Sequence, residues 1–326
     1  MISLKQLRYF EALSRSRHFG HAAEECAVTQ PALSMKIQEL EGQLGLPLVE
    51  RRRGGVKLTH AGEEIARRAR AILTAVRDLS DYARHSAGSL TGELVLGAIP
   101  SIAPYLLPAA LPLVRKRHPG LELTLRETQT ATLVGELLAG QLDAILLSLP
   151  LTHPELATLS LFADRFLLAT ASSAPFDEAM PLTPERLADE NLLLLEDGHC
   201  LRDQALAFCG AQTAAAMRER FGATSLATLV QLVANGYGVT LVPEMAIPIE
   251  VGADRRIALR GFADPEPSRS IGLAWRRTSP RAADFIALGE ILTEVGAPRR
   301  RLPIAAPRSR EPRPALRRAH GRSEKA

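Results

Sequence analysis

The chain has 326 residues, 46% of them hydrophobic and 23% charged, enough for two or three domains of an ordinary globular protein. No apolar run approaches the ~18–20 residues of a membrane span, and residues 1–20 lack the apolar stretch of a secretory signal, so a cytoplasmic protein without a membrane partner is expected. The net charge of +4 hides a division: residues 1–88 carry 14 Lys and Arg against 10 Asp and Glu, residues 89–297 carry 16 against 24, and residues 298–326 carry 10 against 2. Basic ends of this kind are an electrostatic footprint for phosphate backbones.

Leu4, Leu7, Phe10 and Ala12/Leu13 fall at helical spacing over Leu4–Ser14, and a second short helix runs from about Phe19 to Cys26. Thr29 fits a helix N-cap with Pro31 in the first turn, and the third helix turns Leu33, Ile37 and Leu40 inward before ending near Gly42. With a tight turn at Ala27-Val28, these form a helix-turn-helix. Residues 47–58 come next as a two-stranded wing with Gly54-Gly55 at its tip. Thr29, Gln30, Pro31, Ser34 and Lys36 lie on the first turns of the recognition helix, where Gln can pair with adenine and Pro can touch a thymine methyl. Arg51, Arg52 and Arg53 in the wing suit phosphate or narrow minor-groove contacts. His18 and His21 read as surface or capping residues, and Cys26 as core.

From Thr59 a helix of roughly 29 residues carries Ile65, Ala69, Ile72, Val76, Leu79 and Ala83 in steps of 4, 3, 4, 3 and 4. That heptad seam predicts dimerisation through the linker, against the plainer alternative of one amphipathic helix lying on its own domain. Gly88-Ser89-Leu90-Thr91-Gly92 is the next break. Short apolar strands then alternate with helices: strands at 94–98, 121–126 and 142–148, helices at 104–117 and 130–139. A second unit has strands at 165–170, 191–195 and 239–242, a helix after His199 and another at 226–234. A strand at 270–275 and a helix at 281–295 close the pattern. This alternation predicts a parallel, doubly wound sheet in two α/β lobes around a cleft. Residues 298–326, rich in Pro and Arg, are expected to be disordered, with non-specific DNA affinity one use for their charge.

The signature Phe19, Ala22-Ala23, Val28-Thr29-Gln30-Pro31-Ala32-Leu33-Ser34, Ile37, Leu40-Glu41, Leu44-Gly45, Leu48 and Leu58-Thr59-His60-Ala61-Gly62 resembles the LysR family of bacterial transcriptional regulators. The resemblance covers about residues 2–297. It implies an α+β multidomain chain: a winged helix-turn-helix at 1–58, a linker and dimerisation helix at 59–88, and a two-lobed α/β effector domain like periplasmic binding proteins at 89–297, commonly assembled as a homotetramer. Residues 192–209, with Gly198-His199-Cys200 and Phe208-Cys209, are similar to the redox segment of the peroxide-sensing members of this family. That likeness implies Cys200 as the peroxide-reacting cysteine and Cys209 as the resolving one. It places His199, Arg202 and Thr130 around the reactive sulfur, and Ser101 stands where the pattern usually has Thr. Gly210 and the stretch after Cys209 depart from the pattern. Implied partners are double-stranded promoter DNA, hydrogen peroxide as signal, RNA polymerase and a cellular thiol reductant; no cofactor and no metal site are called for.

The chemistry suits these residues. A sensing thiol needs a lowered pKa, and a helix start with His199 and Arg202 nearby would favour the thiolate. If 201–208 is helical, the two cysteine Cα atoms lie roughly 13 Å apart, whereas a disulfide needs about 4.4–6.8 Å. Oxidation would then force the helix to remodel, a two-state element of the kind a regulator requires. Two other readings stay open: a regulator whose cleft binds a small organic ligand, and a thiol peroxidase or cysteine hydrolase. Against the enzyme, the chain carries no complete nucleophile–base–orienter set.

Overall fold

The computed structural model describes residues 1–52, 55–85, 90–174, 182–187, 190–209 and 223–297. The basic tail at 298–326 lies outside them. In the N-terminal unit, α1 (Leu4–Ser16) starts on a capping box: the Ser3 hydroxyl accepts from the Gln6 amide, and the Gln6 side chain accepts from the Ser3 amide. Helix α2 (Phe19–Glu25) is capped by His18, whose Nδ1 accepts from the amides of Gly20 and His21. Ala27 makes the tight turn with φ of 54°, a left-handed conformation that is costly for any residue but glycine. Helix α3 (Gln30–Leu44) turns Leu33, Ile37 and Leu40 inward, as the spacing requires, but runs past Gly42 and stops on Gly45 at φ of 68°. These join Phe10, Leu13 and Leu48 in one core, and the wing is β1 (Val49–Arg52) antiparallel to β2 (Gly55–Leu58).

The linker helix is α4 (His60–His85), 26 residues long. Thr59 sits just before it; its hydroxyl accepts the Gly62 amide and donates to the Pro47 carbonyl. The predicted heptad positions differ in how far their own chain covers them. Ala69 is buried within its own chain and Ile65 is half-buried against the N-terminal core, while Ile72, Val76 and Leu79 are exposed by 46%, 37% and 70%. At 100° per residue the six seam positions stay within about 80° of one another. What changes is that only the first turns of α4 pack on the N-terminal core, and Ile72, Val76 and Leu79 lie beyond it, uncovered within the single chain. The side chain of Ala83 lies outside the described residues.

The effector region begins with β3 (Gly92–Ala98), α5 (Ala103–Arg117), β4 (Leu121–Glu127), α6 (Thr130–Leu138), β5 (Ala144–Leu149) and the 16-residue β6 (Leu156–Ala171). Then come α7 (Cys200–Cys209), α8 (Leu226–Ala234), β7 (Thr240–Pro243), α9 (Ile247–Glu250), β8 (Ile257–Arg260), β9 (Ser268–Arg276) and α10 (Ala282–Gly296). The sheet departs from the expected parallel one in two respects. The strand order is β4-β3-β5-β9-β6-β7, and only the β4-β3-β5 portion is parallel; β9 and β6 run antiparallel to their neighbours, with β8 also on β6. Residues 191–195 are not a strand: only Leu192 and Leu195 form isolated bridges, to Val239 and Ala223.

Strand β6 is the element that the sequence disguises. After buried Leu156 its first half alternates half-buried and exposed positions beside β9, and its second half, from Asp164 to Ala171, is continuously buried, with Phe166–Ala169 paired to β7 and Leu168–Ala171 to β8. Only that second half reads as a strand from apolar content. Because β6 and β9 pass through both lobes, the two cores are distinct yet joined. One gathers Leu94, Leu96, Ile145, Leu273 and Phe285, the other Leu168, Leu187, Val230, Val233 and Val242.

Candidate functional site

On the N-terminal unit, Thr29, Gln30 and Pro31 are exposed at the start of α3 and Ser34 is half-exposed one turn on. Thr29 occupies the N-cap position, yet its side chain makes no capping hydrogen bond. At 100° per residue, Pro31, Ser34, Met35 and Gln38 share one outward quadrant. Lys36 does not join it: it points to the far side, with its ammonium 2.7 Å from the Glu39 carboxylate. Met35, 54% exposed, is an apolar member of this surface that was not expected from the sequence. Arg51 and Arg52 lie on β1, their side chains and all of Arg53 being outside the described residues.

The second site lies where the lobes meet. Gly198, at φ of +90°, turns the chain tightly enough to bring Cys200 in as the first residue of α7. Cys200 is a free thiol, half-buried and packed against the first lobe's core although its helix belongs to the second. Ser101, Thr130 and Arg269 all bear on it: the guanidinium by its charge, and the two hydroxyls lie near enough to favour the thiolate, although Thr130 Oγ1 makes no hydrogen bond of ordinary geometry. His199 beside it is buried. Cys209 closes the same helix nine residues on, its side chain outside the described residues.

Two expectations about this thiol are corrected. Its pKa is raised, not lowered: burial pushes the thiol up, and Arg269, Ser101 and Thr130 only partly oppose that. Nor does Arg202 supply the positive charge. Its guanidinium lies 2.8 Å from the Asp197 carboxylate and donates to the Leu195 carbonyl at 3.1 Å, so it ties down the turn before the helix. The cation that faces the sulfur is Arg269, 3% exposed and contributed by β9, far from Cys200 in the chain.

Arg269 is built in from every side. Asp164 stands directly opposite it in the β6–β9 ladder and takes its Nε at 3.0 Å. Its other two nitrogens each donate at 2.8 Å, one to the Ser101 hydroxyl and one to the Ser101 carbonyl. With its acceptor role filled by Arg269, the Ser101 hydroxyl keeps its own proton for the sulfur. Gln204, one helical turn beyond Cys200, donates to the Ser148 hydroxyl at 2.6 Å and so fastens α7 to the first lobe. Thr130 Oγ1 and Gln204 Oε1 are both buried without a conventional hydrogen-bond partner among the described residues. Buried polar atoms are seldom left so, and a small polar guest would satisfy them. Arg269, Asp164 and Gln204 are site residues that the sequence alone did not single out. The one available signal was a pair of charges, Asp164 and Arg269, inside otherwise strand-like runs.

Among the described residues there is no group of three or more His, Cys, Asp or Glu able to hold a metal, and no helix is long and apolar enough to cross a membrane.

Residues 4–63 match the lysR-family bacterial regulatory helix-turn-helix protein and residues 87–297 match the LysR substrate binding domain. The chain belongs to the LysR family of transcriptional regulators. Within it, the chain closely resembles OxyR. It is 43% identical over 292 residues to a probable hydrogen peroxide-inducible genes activator of Streptomyces viridosporus, covering 90% of this chain and 94% of that one. A full-length Pseudomonas aeruginosa OxyR with one cysteine changed to aspartate superposes with a TM-score of 0.76 at 33% identity, covering 91% of this chain and 96% of the other. A Corynebacterium glutamicum OxyR cysteine-to-serine mutant with hydrogen peroxide bound gives 0.60 at 37% identity, covering 90% and 94%.

Proposed function

We propose that this chain is a peroxide-responsive transcriptional activator, switched by oxidation of Cys200 and a disulfide between Cys200 and Cys209. The observation that carries the reading is the setting of Cys200: a free thiol at the lobe junction, under Ser101, Thr130 and Arg269, at the head of a helix whose last residue is Cys209. A relative with hydrogen peroxide bound supports peroxide as the small molecule the site receives.

In this reading the Cys200 thiolate attacks one oxygen of hydrogen peroxide. The O–O bond breaks, the sulfur is oxidised to sulfenic acid, and the departing hydroxide takes a proton and leaves as water. Ser101, Thr130 and Gln204 hold the two oxygens, and Arg269 stabilises the charge that passes from sulfur to leaving group. His199 walls the site. The Cys209 thiol then attacks the sulfenic sulfur, an S–S bond forms, and a second water leaves. The helical α7 holds the two Cα atoms roughly 13 Å apart, beyond the ~4.4–6.8 Å that a disulfide spans, so bonding unwinds α7. Leu201 and Ala205 leave their core positions and the Gln204–Ser148 bond breaks.

The output is promoter binding. Thr29, Gln30, Pro31 and Ser34 read the major groove, and Arg51, Arg52 and Arg53 meet the backbone or minor groove; Lys36, on the far side of α3, is left out of the reading surface. Two copies pair along Ile72, Val76, Leu79 and Ala83, with Ile65 and Ala69 bracing the base of the helix, and pairs assemble into a homotetramer in the cytoplasm. A cellular thiol reductant resets the disulfide, and RNA polymerase receives the signal.

Footprinting on promoter DNA with and without stoichiometric peroxide tests this. Wild-type protein changes its footprint on oxidation and Cys200→Ser does not; an unimpaired response in Cys200→Ser would overturn the assignment.

A further inference from the structure

Helix α4 presents two opposite faces. Ile72, Val76 and Leu79 form the exposed apolar stripe. Rotated about 180° from it, at 100° per residue, lie Arg67, Thr74, Arg77 and Asp78. Thr74, Arg77 and Asp78 meet the effector domain, while Arg67 is held by Glu64 of its own helix. The Thr74 hydroxyl donates to the Ala139 carbonyl at 3.3 Å, and the Arg77 guanidinium donates to the Gly140 carbonyl. Asp78 pairs at 3.0 Å with Arg276, a buried side chain that also holds the carbonyls of Leu137 and Leu142. The fit is close: Gly140 has φ of +72°, and a Cβ there would overlap the Thr74 hydroxyl.

Every carbonyl in this joint belongs to the C-terminal end of α6 or the turn just beyond it. The other end of α6 begins with Thr130, the hydroxyl that faces Cys200. Nine residues at ~1.5 Å make a rod about 13 Å long, pinned to the first lobe's core by fully buried Leu133 and Leu137. Strand β9 makes a parallel connection. Arg269 near its start orders Ser101 at the thiol, and Arg276 at its end grips both the α6 terminus and Asp78.

We infer that α6 is a rigid coupling bar, braced by β9, that carries the state of the Cys200 site to the docked face of the linker helix through Thr74, Arg77 and Asp78. The inference rests on the redox reading above. It assigns the docked polar face to signal transmission within one chain, leaving the apolar stripe on the opposite side free to pair with a second copy. Loss of the Thr130–thiol contact on oxidation changes one end of α6, and the joint at the other end changes the angle at which α4 leaves the effector domain.

The test uses the full chain and a DNA duplex selected from a random pool by the wild-type protein. Two quantities are read: the rate at which peroxide removes the Cys200 thiol, and the ratio of duplex affinities of the oxidised and reduced protein. For an allosteric coupling that ratio is about 5–150-fold. The double variant Thr74→Val/Arg77→Gln breaks two bonds to the α6 terminus and leaves buried Arg276 paired; Asp78→Asn is the second, milder variant, keeping an acceptor for Arg276. Both are expected to oxidise Cys200 within twofold of the wild-type rate while the affinity ratio falls to within twofold of one. A wild-type ratio in both variants overturns the inference. So does a tenfold slowing of Cys200 oxidation, which would make the joint a support for the thiol site. A ratio of one in the wild-type chain overturns the redox reading itself, a result separate from either.

Discussion

Replacing Arg269 by alanine tests the construction of the thiol site. The side chain is 3% exposed, and Asp164, its cross-strand partner, is 4% exposed. Removing one member of a buried ion pair leaves the other uncompensated, at a cost of about 3–5 kcal/mol. For a unit the size of residues 90–297, each kcal/mol moves the melting midpoint by about 2–4 °C, so a fall of roughly 6–20 °C is expected by calorimetry. The deficit depends on pH in a stated direction. Burial already holds the Asp164 carboxyl above the ordinary carboxylate range, with Arg269 the main opposing charge. Without that charge its folded pKa rises further above the unfolded value. Stability from a raised carboxyl is present at low pH and lost as pH rises through the folded pKa, so the variant's deficit is smaller at pH 5 than at pH 8. Arg269→Ala/Asp164→Leu, which removes both charges, recovers most of the loss. A midpoint within 2 °C of wild type for Arg269→Ala, or a deficit that grows as pH falls, would refute the reasoning.

Because burial raises the Cys200 thiol, the fraction present as thiolate, and with it the rate of thiol loss to peroxide, climbs about tenfold per pH unit from pH 7 to beyond the ordinary thiol range; stopped-flow kinetics showing a plateau below pH 7 would contradict this. Ser101→Ala removes a hydrogen bond that lowers the thiol pKa and shifts the same profile to higher pH; an unshifted profile counts against that contact. Gly62 lies so close to Leu48 that a Cβ would overlap its carbonyl oxygen. Gly62→Ala therefore costs about 1–3 kcal/mol through forced backbone shifts, seen as earlier melting and proteolysis of the N-terminal unit, and unchanged protease resistance would refute it. Ile72→Asp places a charge in the exposed stripe of α4 and weakens self-association; a wild-type sedimentation profile at micromolar concentration would show that the stripe pairs with nothing.

The parts that were legible in the sequence are those in which local pattern and burial agree. Leu33, Ile37 and Leu40 announce α3 because a single helix face is buried, and Leu226–Ala234 reads as a helix for the same reason. Strand β6 was legible only where both of its faces are covered. Its first half shows one face to solvent, and its alternation is short and broken by a register shift between Ser160 and Phe162. The thiol site divides along similar lines. Cys200 and its helix start are local features. Arg269 enters only through the pairing of β6 with β9, 105 residues apart at the Asp164–Arg269 contact, a separation no local pattern reports. The misassignment of Arg202 has the same origin: proximity in sequence placed it near the sulfur, whereas Asp197 and the Leu195 carbonyl draw it away. Of the linker seam, Ile65 has a partner in its own chain, the N-terminal core, whereas Ile72, Val76 and Leu79 are left uncovered, a difference the regular heptad spacing does not report.

The most direct test of the switch is to treat the reduced full-length chain with one equivalent of hydrogen peroxide, block the remaining thiols, and identify the linked peptides by mass spectrometry, with hydrogen exchange followed across residues 200–209. The account predicts a Cys200–Cys209 disulfide, Cys26 alkylated as a free thiol, and loss of amide protection along α7. A chain in which Cys200 and Cys209 remain unlinked, or become linked with α7 still protected, would contradict it.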